Sequence, residues 1–309
     1  RNFSDSYSPS LPPGRQGEFA HRYMLGLYEI LERLTQRFPD ILFESCASGG
    51  NRFDLGMLAY MPQIWASDNT DPFCRVEIQE GTSYGYPLSV IGAHVAASPS
   101  QSALRRTGIE TRFNVAAFGL LGYEMDMTEL TSFERKCIKA QIAWYKKYRR
   151  TLQFGDFYRL PVPGPGGKRA WLCVSPDRKE AVAMLFQQTA QPVRTRDMLR
   201  LCGLDEALDY EVVGREQYIA VGAFGSLVKH ALPVKLNGEG AVMAMISSRY
   251  LFPMTEERYQ AGGDLLNRAG LRLKQQFAGT GYNEHIRVLG DYGSRTYAIR
   301  AIEPSAGEE

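Results

Sequence analysis

Apolar residues recur every three or four positions between about residues 17 and 38, and the positions between them are mostly polar. This spacing predicts an amphipathic helix. The apolar run at residues 41–43 follows directly, and we predict that it is a buried strand leading into a glycine-rich loop. Similar short apolar runs at residues 63–66, 88–95 and 118–123 also precede polar loops. Strands that alternate with helices are typical of parallel βα units in an α/β fold.

A final helix is predicted from about residue 132 to 150. Thr131 and Glu134 have the spacing of a capping box at its start. After the Pro/Gly-rich stretch at residues 161–167 the pattern changes, and we predict an antiparallel β domain from about residue 155 onward. Its expected strands are the β-rich segments at residues 171–174, 181–186, 210–213, 242–246 and 297–302.

Charge and cysteine content narrow the classes of function. Lys plus Arg number 36 and Asp plus Glu 34, so a net charge of +2 gives no electrostatic reason to expect nucleic acid or a membrane surface as partner. The five cysteines are scattered, without the spacing of a metal site, and predict free thiols in a reducing, cytoplasmic compartment. We expect no metal and no membrane span, because there is no apolar run of about 18 residues.

The segment 67–71 contains the carboxylates with the clearest candidate roles. Asp71 precedes Pro72, which suits the first position of a helix, so Asp71 is predicted to be an N-cap. Asp68 lies at the end of the apolar run that contains Trp65, where its carboxylate would point into the mouth of a barrel. Asp68 is therefore a candidate site residue.

Other chemistry has weaker support. Gly49 and Gly50 lack the surrounding pattern of a phosphate-binding loop, and the glycines are better explained by close backbone approach. Cys46 could be a nucleophile, but no His is near it in sequence, and a buried cysteine is more often a small apolar residue. The four histidines are too dispersed for a zinc motif.

Two adjoining segments, residues 43–58 and 60–71, resemble the signature of family-36 α-galactosidases without a gap. The resemblance extends to residues 11–18, 79–83 and 122–124, and more weakly into the second domain. It implies the C-terminal half of a (β/α)8 TIM barrel at residues 1–154, followed by a C-terminal antiparallel β-sandwich at residues 155–309.

The resemblance also implies roles for individual residues. Asp68 matches the general acid/base of a retaining double displacement, and Cys46, Gly49, Gly50 and Trp65 match substrate contacts. Arg1 matches the last residue of the nucleophile motif, so the nucleophile is expected just upstream of Arg1. Because a retaining glycosidase needs two carboxylates about 5 to 5.5 Å apart, we expect these 309 residues to be inactive alone.

The implied activity is release of terminal α-galactose from oligosaccharides such as melibiose and raffinose, without a cofactor, by a homo-oligomer such as a tetramer. Three alternatives stay open: an α-N-acetylgalactosaminidase, a transglycosylase, and a non-catalytic carbohydrate-binding protein. The chain departs from the family pattern at residues 98–101, where an Asn-His pair is replaced, and at residues 104–108. This loop is expected to border the active-site face and to affect substrate preference.

Overall fold

We analysed a computed structural model, which describes residues 7–192, 196–227, 240–277 and 285–303. Residues 7–154, here called the barrel segment, alternate helices with short strands. Its helices are α1 (Gln16–Arg37), α2 (Leu55–Leu58), α3 (Pro72–Thr82), α4 (Ile109–Ala116) and α5 (Ser132–Phe154), with 3-10 turns at Pro13–Arg15 and Leu88–Val90. Its strands are β1 (Glu44–Ser45), β2 (Gln63–Ile64), β3 (Gly92–Ala96) and β4 (Leu120–Glu124).

The four strands are parallel and follow one another in chain order. Strand β1 pairs with β2, and β3 pairs with β4. A single parallel bridge between Ile64 and Ile91 connects the two pairs. The prediction of consecutive parallel βα units is confirmed. All four strands therefore end at the same edge of the segment, where the loops after them meet.

The prediction of a strand at residues 41–43 is wrong. Pairing begins only at Glu44, while the side chains of Ile41 and Leu42 are 54% and 70% exposed. An apolar run favours a strand only where a neighbouring strand can accept its hydrogen bonds, and here β2 pairs further along. Helix α1 forms as predicted, but of its residues only Leu31 is buried. Much of its apolar face is exposed, including Tyr23, Ile30 and Leu34.

Helix α5 begins at the predicted capping box. The Thr131 hydroxyl accepts a hydrogen bond from the Glu134 amide, and the Glu134 carboxylate accepts one from the Thr131 amide. These bonds satisfy amide groups that have no partner within the helix, so they define its first turn. The helix buries Cys137, Tyr145 and Leu152 against the core and ends at Phe154.

Residues 155–303, here called the β domain, contain a six-stranded antiparallel sheet. Its strands are β5 (Asp156–Leu160), β6 (Lys168–Val174), β7 (Glu180–Gln187), β9 (Asp209–Gly214), β12 (Arg258–Gly262) and β16 (Gly293–Ala301), in the order β12-β9-β16-β7-β6-β5. The remaining strands form short pairs: β8 (Met198–Leu199) with β13 (Leu271–Arg272), β10 (Tyr218–Ile219) with β11 (Phe252–Pro253), and β14 (Gln275–Gln276) with β15 (Ile286–Arg287). The helical segments are Val221–Leu227, which is 3-10, α6 (Ala241–Arg249) and α7 (Gly263–Arg268).

Four of the five predicted β segments lie in this sheet, and the fifth is wrong. Residues 242–246 belong to helix α6, which buries Met243 and exposes Val242 and Met245. A run of five apolar residues does not distinguish a strand from a helix by its pattern alone. Met243 is the one buried residue among the nine of α6, a pattern that a helix produces when a single face is buried.

The six-stranded sheet has a core on each face. One face packs against the barrel segment, where Trp171, Met184 and Phe186 join Phe113, Phe118 and Leu152 in one cluster. The other face is covered within the β domain by a second cluster that includes Leu172, Leu185 and Ile299. Because side chains alternate along a strand, neighbouring residues such as Trp171 and Leu172 belong to different cores. The barrel segment and the β domain therefore share a continuous apolar interface.

Candidate active site

The predicted site residues come together at the carboxyl ends of β1 and β2. Cys46 follows β1 directly and its side chain is exposed. Asp68 follows the buried Trp65 after β2 and is exposed as well. Gly49 and Gly50 lie in the loop between Cys46 and α2, and they contact the end of β2. The structure thus places all five predicted residues at one edge of two adjacent strands.

Gly49 and Gly50 permit the loop after β1 to pack on the backbone that leads to Asp68. Gly49 has a φ of +79°, and a Cβ atom there would lie 2.6 Å from the Cα atom of Ser67. A Cβ atom on Gly50 would lie 2.9 Å from the carbonyl oxygen of Ala66. Any side chain at Gly49 would therefore be strained and would push the Ser67 backbone away. The close backbone approach expected from the sequence is present, and the contact of these glycines with sugar stays a prediction.

The backbone from Ser67 to Asp71 is held by its own side chains. The Asn69 amide donates to the Ser67 hydroxyl at 3.2 Å, and the Asp71 amide donates to the Asn69 side-chain oxygen at 3.1 Å. The Asp71 carboxylate accepts hydrogen bonds from the amides of Phe73 and Cys74, so the predicted N-cap of α3 is confirmed. These local bonds restrict the conformations open to residues 67–71.

Asp71 is completely buried, and it forms an ion pair with Arg105. Arg105 comes from the loop after β3, in the region where the sequence departs from the family pattern. Sequence reasoning missed this pair because residues 71 and 105 are distant in sequence and their proximity depends on how the loop folds. The ion pair attaches that loop to the segment that contains Asp68.

Among the described residues, the Asp68 carboxylate has no hydrogen-bond or ion-pair partner. It projects from a segment in which the Ser67 hydroxyl and the Asn69 side-chain oxygen accept hydrogen bonds from the backbone, and it is exposed at the carboxyl edge of the strands. A carboxyl group in this situation is free to exchange a proton with a bound molecule. Glu44, the first residue of β1, accepts a hydrogen bond from the Gln63 side chain at 2.6 Å, which agrees with a role in satisfying polar groups of the barrel.

Trp65 lies beneath this edge and is only 7% exposed. Its ring stacks on that of His94, with ring centres 4.2 Å apart, and the Arg75 guanidinium lies 4.5 Å from the ring centre. Little of the Trp65 surface is therefore available to a ligand, and its observed contacts are packing contacts. His94 in turn lies 3.1 Å from the Glu124 carboxylate, Nδ1 to Oε2, at the end of β4.

Arg75 was not singled out by the sequence, yet it connects several parts of the site. Burial of its guanidinium lowers the pKa of Arg75 to about 10, which still leaves it protonated at neutral pH. Its position four residues into α3, after a predicted N-cap, could have indicated that it faces the strands.

Within the described residues there is no group of three or more His, Cys, Asp or Glu side chains that could hold a metal ion. No helix in the described ranges is both long and apolar enough to cross a membrane.

Comparison with known proteins decides the family. The Melibiase family model matches residues 1–155, and the model of the glycosyl hydrolase family 36 C-terminal domain matches residues 168–299. The chain belongs to the melibiase family, glycoside hydrolase family 36. The family expected from the sequence signature is thus confirmed.

Relatives within family 36 include α-galactosidase 1 of Pediococcus pentosaceus, 49% identical over 236 residues, which are 74% of this chain and 32% of that protein. The α-galactosidase AgaA of Geobacillus stearothermophilus is 51% identical over 218 residues, which are 71% of this chain and 30% of AgaA. The chain thus spans about a third of the length of these relatives.

Solved structures of family 36 have the same fold. The crystal structure of AgaA matches with a TM-score of 0.73 at 41% identity, covering 97% of this chain and 34% of AgaA. The α-galactosidase of Lactobacillus brevis matches with a TM-score of 0.75 at 35% identity, covering 99% of this chain and 35% of that protein. The predicted fold class, half of a TIM barrel followed by an antiparallel β domain, is confirmed.

Proposed function

We propose that the chain functions in an α-galactosidase and that Asp68 is its general acid/base. The observation that carries this proposal is the position of Asp68. It is an exposed carboxylate without a protein partner among the described residues, and its backbone is held by Gly49 on one side and by local turns on the other. It also falls at the acid/base position of the family signature. The curated relatives reported above are α-galactosidases, which supports the reaction class.

In the proposed reaction Asp68 acts twice. It first protonates the glycosidic oxygen as the bond to the galactose anomeric carbon breaks, while a second carboxylate attacks that carbon. It then removes a proton from the water that hydrolyses the covalent intermediate, which restores the original anomeric configuration. The family pattern assigns the second carboxylate to the motif that ends at Arg1, and reading the coding sequence upstream of Arg1 tests this assignment.

We propose oligosaccharides of the melibiose and raffinose type as substrates. Two structures of AgaA variants support this choice: one, with an Asp replaced by Asn, is in complex with raffinose, and another, with an Asp replaced by Ala, is in complex with stachyose. A further AgaA structure holds 1-deoxygalactonojirimycin. In this chain the exposed Cys46 thiol and the loop through Gly49 and Gly50 lie beside Asp68, where they could contact the sugar.

The test uses the full gene product that contains residues 1–309. We expect it to hydrolyse p-nitrophenyl α-galactoside with retention of the anomeric configuration. NMR of the first-formed galactose measures that configuration. Asp68→Asn should lower kcat/KM by about 10² to 10⁴-fold for raffinose, and by less for the aryl substrate, whose leaving group needs little protonation. Equal losses on both substrates would argue against Asp68 as the acid.

Asp126→Asn is the matched control. Asp126 is also exposed and follows a barrel strand, but its carboxylate is bound by the amide and hydroxyl of Thr128. Its replacement should leave both rates within about 2-fold of the unmodified protein.

Turnover of p-nitrophenyl α-N-acetylgalactosaminide in preference to the galactoside would favour the alternative hydrolase. Sugar binding without turnover would favour the non-catalytic alternative.

Location and assembly are part of the same proposal. All five cysteines are free, which supports a reducing, cytoplasmic location. The homo-oligomer expected from the family is tested by native mass spectrometry of the full gene product, in which a monomer at micromolar concentration would contradict it.

A further inference from the structure

Arg75 is buried between two barrel strands. It projects from α3 and is 2% exposed, and its guanidinium donates hydrogen bonds to the carbonyl of Ser67 at 3.2 Å and to the carbonyl of Gly92 at 2.7 Å. A third bond, from Nε to the Gln79 side-chain oxygen, measures 3.3 Å. Ser67 follows β2 and Gly92 begins β3, so one side chain joins the end of one strand to the next strand.

The Ser67 carbonyl belongs to the peptide bond that connects Ser67 to Asp68. A hydrogen bond to this oxygen fixes the plane of the peptide, and with it the direction in which the Asp68 backbone leaves β2. Gly49 packs against Ser67 from the loop after β1. The peptide before Asp68 is therefore held by a charged donor on α3 and by backbone contact from the loop after β1.

A buried cation of this kind is costly without a compensating role. Among the described residues its hydrogen-bond partners are two carbonyls and one amide side chain, and the Glu124 carboxylate acts on it electrostatically without a hydrogen bond. Desolvating a guanidinium without an ion pair is unfavourable, and an apolar side chain of similar size could pack on Trp65 without that cost. What such an apolar residue could not do is donate to the two carbonyls at once.

We propose that Arg75 is a positioning residue for Asp68, acting through the Ser67 carbonyl to hold the carboxyl group where it can reach the leaving oxygen. This inference rests on the proposed function of Asp68 for its catalytic consequence, while the positioning itself concerns only the backbone. Arg75 lies below the strand edge and is assigned no contact with the sugar.

The decisive variant is Arg75→Lys in the full gene product. Lysine keeps the charge but has no planar fork, so it cannot donate to both carbonyls with the same geometry. We expect kcat for raffinose to fall by about 10- to 100-fold with KM nearly unchanged, because a displacement of about 1 Å is enough to impair proton transfer. For p-nitrophenyl α-galactoside the loss should be about 3-fold or less.

Arg112→Lys is the matched control. Arg112 is also buried on a barrel helix and donates to a strand-end carbonyl, that of Ala96 at the end of β3; it forms an ion pair with Glu134 and does not contact Ser67. We expect it to lower thermal stability about as much as Arg75→Lys does. It should change kcat for raffinose and kcat for p-nitrophenyl α-galactoside by the same factor. A selective raffinose loss in Arg112→Lys as large as that in Arg75→Lys would overturn the proposal.

A measurement independent of activity tests the positioning directly. Hydrogen–deuterium exchange of the full gene product should show amides of residues 68–71 exchanging about 10-fold faster in Arg75→Lys than in Arg112→Lys. Unchanged exchange there would overturn the proposal even if activity fell. If the full gene product hydrolyses no α-galactoside, the proposed function fails, and faster exchange in residues 68–71 would still establish the positioning contact.

Discussion

The strands of the barrel segment and those of the six-stranded sheet are held in different ways. In the sheet, strands of five to nine residues pair along most of their length, and both faces are covered by buried clusters. In the barrel segment, β1 and β2 pair over two residues each, and one bridge connects β2 to Ile91, the residue before β3. On the β1 side, α1 and the residues after it leave large apolar side chains exposed, including Leu25, Ile30 and Leu42.

This difference indicates that the sheet contributes most to stability, while the candidate site residues lie in the barrel segment. The four inner strands of the sheet are paired on both sides and both faces are buried, so the sheet serves as the base on which the barrel helices pack. The strand ends of the barrel segment are held largely by side chains and glycine contacts, and it is there that Cys46 and Asp68 are exposed. Functional groups on loops above a rigid scaffold are the usual arrangement in barrels of this type.

The largest effect is expected at the interface of the two regions. Trp171 is 1% exposed, packs against Phe118 and Phe157, and donates its indole N–H to the Glu80 carboxylate at 3.0 Å. Trp171→Ala should lower the free energy of unfolding by about 3–5 kcal/mol, measured by urea denaturation. Trp171→Phe keeps an aromatic ring and should lose less, and equal losses would show that the hydrogen bond to Glu80 dominates.

The rates of hydrogen exchange at backbone amides should differ between the two regions in the same way. We expect amides in β7 and β16 to exchange at least about 10²-fold more slowly than those around β1 and β2, because the former are paired on both sides within a covered sheet. Hydrogen–deuterium exchange with mass spectrometry measures this. Comparable protection in β1 and β7 would mean that the barrel segment is as stable as the sheet.

A smaller loss is expected at residues 67–71, the segment that contains the candidate residue Asp68. Asp71→Ala removes the N-cap of α3 and the ion pair with Arg105, and should lower the free energy of unfolding by about 2 kcal/mol. Asp71→Asn retains a capping oxygen, so it should lose about half as much. Thermal melts of the two variants measure the difference, and an identical loss would assign the effect to the charge alone.

The smallest effect is expected on the exposed side of the barrel segment. Leu42→Ser should change the free energy of unfolding by less than about 0.5 kcal/mol, because the side chain is already 70% exposed. Leu172→Ala, at a fully buried position in the sheet, is the contrasting variant and should cost about 2–5 kcal/mol. A loss at Leu42 above 1 kcal/mol, about twice the usual limit for a surface change, would show that another surface covers it in solution.

The sequence by itself determined much of this protein. Local patterns predicted α1, the Thr131 capping box, the N-cap at Asp71 and the parallel βα order, because each depends on residues close together in the chain. The signature around residues 43–71 identified the family and selected Asp68 and Cys46. Two predictions that rested on a short apolar run, at residues 41–43 and 242–246, were wrong, because such a run does not specify its partner or its period.

Only the tertiary structure decided how the site is held. Arg75 reaches the Ser67 and Gly92 carbonyls, Arg105 reaches Asp71, and His94 stacks on Trp65, and none of these pairings has a periodic or local signature. The sequence shows Gly49 as a loop glycine, but it is Ser67, 18 positions later in the chain, that leaves no room for a Cβ atom at this position. A sequence pattern records what a residue needs from its neighbours in the chain, whereas the direction of the Asp68 carboxyl group depends on contacts that form only when β1, β2 and α3 pack together.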